Sequence, residues 1–66
     1  MKVYKEENGT GTLQQLIFRA DEGQTPDEFK NDVKSWIAAN YPSMTWAKFV
    51  DRLVVLEAGR IILNME

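Results

Sequence analysis

Ten carboxylates and eight basic side chains make up the charge of this 66-residue chain, and it contains neither histidine nor cysteine. Paired acids can do general acid–base work or hold a hard cation. The pairs here are Asp21-Glu22, beside Gly23, and Asp27-Glu28, just after Pro26. A calcium loop needs oxygen ligands at alternating positions around a required glycine, and this stretch has no such pattern. Two acids working on a glycosidic bond must face each other across a cleft, for which so short a domain has little room. The simpler role of Asp27 and Glu28 is to favour the positive end of a helix dipole.

Other chemistries lack their parts. Without thiolate or imidazole, the usual zinc sites, cysteine nucleophiles and histidine acid–base catalysis are excluded. Ser35 and Ser43 have no histidine to activate them. Gly9-Thr10-Gly11 has neither the lysine of a phosphate-binding loop nor the spacing of a dinucleotide fingerprint, and reads as a turn. Asn8-Gly9-Thr10 matches a glycosylation sequon, but no export signal accompanies it. The residues therefore point to a protein without enzymatic activity, cofactor or metal.

The elements that carry these residues follow from patterning. Val3 and Tyr4 between charges predict a short edge strand over Lys2 to Glu6, where lysines discourage further pairing. Asn8, Gly9 and Gly11 supply a turn, and a second strand follows from about Thr12 to Ala20. Thr25-Pro26-Asp27-Glu28 is a helix start in which Thr25 caps, Pro26 takes the first helical position and Glu28 completes a capping box. Phe29, Val33, Trp36 and Ile37 then fall at i, i+4, i+7 and i+8, one apolar stripe of a helix over about 26–40, with Asn40 as its cap and Pro42 beyond it.

Trp46, Phe49, Val50 and Leu53 suggest a short second helix over about 45–52, capped by Ser43 or Thr45. Val54-Val55-Leu56 and Ile61-Ile62-Leu63 predict a closing hairpin with Gly59 in the left-handed position of its loop. The competing reading carries the second helix to Glu57 and stops it at Gly59. That would turn Val55 away from the apolar stripe and Glu57 into it. The expected fold is therefore a single α+β domain of order ββα(α)ββ, with an antiparallel sheet of two hairpins.

Composition sets a physical constraint on that fold. With 44% hydrophobic and 27% charged residues the chain is not of disordered type. No apolar run reaches the roughly 20 residues of a membrane-spanning helix, and the charged start is unlike a signal peptide, so a soluble, cytoplasmic protein is expected. A domain near 60 residues buries only about 60% of the surface that its unfolded chain exposes. Disulfides being excluded, stability must come from a dense aromatic core or from a second subunit.

Binding is thus the expected role. If Leu16, Phe18 and Ala20 point inward, strand alternation turns Leu13, Gln15, Ile17 and Arg19 outward. If Ile61, Leu63 and Met65 point inward, Arg60, Ile62 and Asn64 join them, with Val55 opposite. Leu13, Ile17, Val55 and Ile62 would then form an apolar sheet face, unless the second helix covers it with Trp46, Phe49 and Val50. The acids Asp21, Glu22, Asp27 and Glu28 would steer this face toward a basic partner surface. The resulting expectation is a small acidic interaction module (an adaptor, inhibitor or regulatory subunit) docking on another protein or on a second copy of itself. Small proteins of phage and mobile elements offer a compositional analogy. The alternative is a regulatory protein that binds nucleic acid through Lys2, Tyr4, Arg19, Lys48, Arg52 and Arg60. The acidic balance, a net charge of −2, weighs against it.

Overall fold

In the computed structural model the described residues are 1–57 and 59–65, with residues 54–57 described by their backbone. Two hairpins flank two helices: β1 (Lys2–Glu7), β2 (Leu13–Arg19), α1 (Pro26–Asn40), α2 (Trp46–Asp51), β3 (Leu53–Glu57) and β4 (Arg60–Asn64). All strand pairs are antiparallel and the sheet order is β1-β2-β4-β3. The two hairpins join through their second and fourth strands, which places β2 and β4 at the centre and leaves the lysine-bearing β1 and the apolar β3 at the edges.

Local sequence accounts for the element ends. Asn8 closes the first hairpin loop: its Oδ1 accepts from the Thr10 and Thr12 N–H groups, both at 2.9 Å, while Gly11 takes a φ of +83°. At α1, Thr25 Oγ1 accepts from the Glu28 N–H at 3.2 Å and the Glu28 carboxylate accepts from the Thr25 N–H at 3.3 Å, forming the expected capping box. The other end differs from expectation. Asn40 is still helical and donates its side-chain N–H to the Trp36 carbonyl at 2.9 Å, so the C-cap is Tyr41. Thr45 caps α2, accepting from the Lys48 N–H at 3.3 Å. Leu53, read from sequence as part of the second helical stripe, instead opens β3 opposite Leu63.

Both helices pack on the same face of the sheet. Leu16 and Phe18 from β2 and Ile61 and Leu63 from β4 are buried beneath Phe29, Val33 and Ile37 from α1 and Phe49 from α2. Each such side chain contributes about 1.5–3 kcal/mol through removal of apolar surface from water. Trp36 meets Phe18 edge-on at a ring separation of 5.3 Å and leans on Tyr41 at 5.9 Å. Three aromatic rings thereby seal one end of the core, in the geometry that ring quadrupoles favour. The arrangement in which α2 covers the opposite sheet face is not the one adopted. Among the described residues, no helix is long and apolar enough to cross a membrane.

Candidate functional site

Strand register determines what the uncovered face displays, because residues paired across an antiparallel sheet lie on the same side. The central row pairs Tyr4 with Ile17, Ile17 with Ile62, and Ile62 with Val55. One pleat away, Lys2 pairs with Arg19 and Arg19 with Arg60. On the other side of the apolar row, Glu6 pairs with Gln15 and Gln15 with Asn64. Arg60 pairs in turn with Glu57, so the face is a band with a charged end of three cations and one acid, an apolar middle and a polar end. Tyr4 is 48% exposed, and Ile17 and Ile62 are half-buried by their own neighbours. Val55 holds its place in the row by backbone register, its side chain lying outside the described residues.

Leu13 does not belong to this face. The β1–β2 register shifts between Glu6 and Glu7, so that Glu6 pairs with Gln15 but Glu7 with Leu13. Gln14 is the extra residue of a bulge, and one extra residue inverts the alternation beyond it. Leu13 consequently packs against the core cluster. The Gln14 carbonyl accepts the Met65 N–H at 2.8 Å, which ties the bulge to the end of the chain's last strand. No residue type in Leu13-Gln14-Gln15 announces a bulge, so simple alternation places Leu13 on the wrong side.

The four acids occupy a different region. Asp21 lies just beyond the basic end of β2, where its carboxylate takes the Met1 ammonium, and the Asp21 N–H donates to Gln24 Oε1 at 3.0 Å. Glu28 is held in the capping box, while Glu22 and Asp27 are exposed. Asp27 and Glu28 begin α1 and so belong to the layer behind the sheet. The structure brings Ile17, Arg19 and Ile62 together on one surface and leaves the acids of the α1 start on another. Among the described residues, no group of three acidic, histidine or cysteine side chains is placed to hold a metal ion.

A second feature was hidden by its apolar spacing. Trp46 and Val50, assigned from sequence to a core-facing stripe, are 47% and 49% exposed. Only Phe49 of α2 is buried. Trp46 lies flat on Phe49 at 4.7 Å between ring centres, and with Val50 it walls one side of a groove of about 670 Å³ whose other side is α1. Lys34 Nζ stands 4.2 Å and Lys30 Nζ 5.4 Å from the centre of the Trp46 ring.

Compared with protein-family models, curated proteins and solved structures, the chain matches none.

Proposed function

We propose that this protein is a small interaction module that binds another protein through the uncovered sheet face. The observation that carries this reading is the pairing of Ile17 with Ile62 at the centre of a face that neither helix covers. Tyr4 and Arg19 flank that pair, and aromatic and arginine side chains around a dry centre are the composition of binding hot spots. Magnitude indicates the kind of partner. With strands about 4.8 Å apart and about 3.4 Å per residue, a four-stranded face of five residues per strand spans only about 300 Å² in projection. A stable interface buries about 800 Å² per partner. The occupant must therefore reach past the sheet edges, which a larger protein does more readily than a second copy of this face.

The test is affinity capture from the source cells with the wild-type protein and with the Ile17→Lys/Ile62→Lys double variant. A protein retained by the wild type and lost with a folded double variant supports the reading. Recovery of the same protein by both variants, or of nothing at physiological salt, contradicts it.

A second reading draws on one observation: Lys2, Tyr4, Arg19 and Arg60 share the face. Cations beside an aromatic ring suit a single-stranded nucleic acid, whose bases stack on such rings. However, Tyr4 is the sole aromatic of that face among the described residues, and the centre is aliphatic. A labelled oligonucleotide whose binding falls steeply with salt would favour this alternative.

A further inference from the structure

We infer that the outer edge of β1 is a self-association site, where a second copy of this chain adds its own β1 antiparallel about a two-fold axis at Tyr4. The contact lies on the sheet edge and does not depend on the reading of the sheet face. Among the described residues β1 pairs with β2 alone, and five of its six residues are exposed, so one side of the strand is open to another backbone.

Register shows which backbone groups that edge offers. The Ala20 N–H donates to the Gly59 carbonyl at 2.9 Å and the Met65 N–H to the Gln14 carbonyl at 2.8 Å, so the even-numbered residues of β2 turn their backbone groups toward β4. Alternation turns those of Gln15, Ile17 and Arg19 toward β1, where they meet Glu6, Tyr4 and Lys2. Val3 and Lys5 therefore direct their N–H and C=O groups outward. A second strand centred on Tyr4 sets Val3 opposite Lys5 of the second copy, and the reverse, so that each outward N–H meets a carbonyl.

Side chains select that centre. A two-fold axis perpendicular to the sheet pairs residues that share a face, and Val3, Tyr4 and Lys5 are the centres that overlap most of the strand. Centring on Lys5 opposes two ammonium groups. Centring on Val3 leaves Glu6 beyond the pairing. Centring on Tyr4 sets Lys2 opposite Glu6 of the second copy on both sides of the axis and brings the two Tyr4 rings together, all on the face that neither helix covers. This register is complementary in charge. Among the described residues Lys2 and Glu6 form no salt bridge within the chain, and Lys2 stands beside Arg19. With Glu6 of the second copy added, the charged row runs Glu6, Lys2, Arg19, Arg60 and Glu57, three cations between two acids. Edge lysines discourage pairing when they lack a counter-charge. Here Lys2 gains one, and the Lys5 stem can lie along Val3 with its ammonium in water.

Magnitude sets the strength. An edge about 17 Å long and about 10 Å thick falls well short of the roughly 800 Å² per partner of a stable interface, so the dimer forms at high concentration. It also lays two uncovered faces side by side, about 600 Å² in projection, which approaches that figure for a larger partner.

The probe is the protein itself, isotope-labelled and followed by NMR and sedimentation from micromolar to millimolar concentration. The expected result is a monomer–dimer equilibrium in which the Val3 and Lys5 amides shift and gain protection from hydrogen exchange as concentration rises. Exposed ion pairs contribute up to about fivefold each and the dimer holds two, so Lys2→Glu or Glu6→Lys, which oppose like charges, should each weaken association by about tenfold or more. Both positions are exposed, and the far-UV circular dichroism spectrum should stay unchanged. Mixing the two variants restores opposite charges across the axis and should restore the dimer, a result that no loss of folding imitates. The inference is overturned if the chain stays monomeric at millimolar concentration, if either variant alone dimerises like the wild type, if the mixture stays monomeric, or if the responding amides lie in β3 instead of β1.

Discussion

Ile17 and Ile62 face each other across the β2–β4 pair, on the side of the sheet opposite Leu16, Phe18, Ile61 and Leu63. The residues adjacent to them in sequence are fully or nearly buried, at 0–5% exposure. Among the described residues, the two isoleucines are covered by nothing but their neighbours in the sheet. Strand alternation alone produces this contrast, and the placement of both helices on one face leaves the isoleucine pair on the other.

The contrast predicts unequal mutational costs. Leu16→Ala or Leu63→Ala opens a cavity in a close-packed core and should cost about 2–5 kcal/mol, enough to unfold much of a marginal domain. The Ile17→Lys/Ile62→Lys double variant should keep its far-UV circular dichroism spectrum, because each lysine stem can lie along the sheet with its charge in water. Thermal denaturation followed by circular dichroism compares them directly. Collapse of the double variant would mean that the face is core.

The helix start provides a second prediction. Thr25 and Glu28 satisfy each other's backbone N–H groups, so Thr25→Ala should destabilise by about 0.5–2 kcal/mol. Urea denaturation should register this as a lower midpoint with an unchanged slope.

The glycines separate in a third test. Gly59 holds a φ of +75°, where an L side chain is strained, whereas Gly9 has nothing within 4 Å of an added Cβ and no left-handed backbone. Gly59→Ala should cost about 1–2 kcal/mol and Gly9→Ala close to nothing, as read from their denaturation midpoints.

The two tryptophans should also differ. Trp36 is partly buried and packs edge-on to buried Phe18, and Trp36→Ala should cost about 2–3 kcal/mol, below the range for a fully buried aromatic. Trp46 lies on the surface of α2, and Trp46→Ala should cost roughly 1 kcal/mol or less, the scale of a stacked aromatic pair. Unfolding monitored by circular dichroism resolves the difference.

Much of this architecture is legible in residue types. Pro26 and the Thr25–Glu28 box mark the start of α1, and the spacing of Phe29, Val33 and Ile37 marks its buried side. Gly59 marks the second hairpin, and alternation correctly separates Ile61 and Leu63 from Ile62. Three features depend on tertiary context instead. The bulge at Gln14 reverses Leu13 because a one-residue register shift has no local composition signal. Trp46 and Val50 fit an apolar stripe, but a helix of only six residues, Trp46–Asp51, carries just one side chain, Phe49, fully into the core. The sheet order joins β2 to β4, and no local pattern distinguishes that pairing from others. The candidate site was thus readable at Ile17, Arg19 and Ile62, which follow strand period. The groove was not, because it arises from the angle between two helices.

If the uncovered sheet face is the binding surface, isoleucine methyl groups will report on it. The methyl spectrum of isoleucine-labelled protein, recorded free and bound to the captured partner, contains signals from Ile17 and Ile62 on that face and from Ile37 and Ile61 in the core. On binding, Ile17 and Ile62 should shift or broaden strongly while Ile37 and Ile61 change little. Unchanged Ile17 and Ile62 signals in a saturated complex would contradict that role for the face.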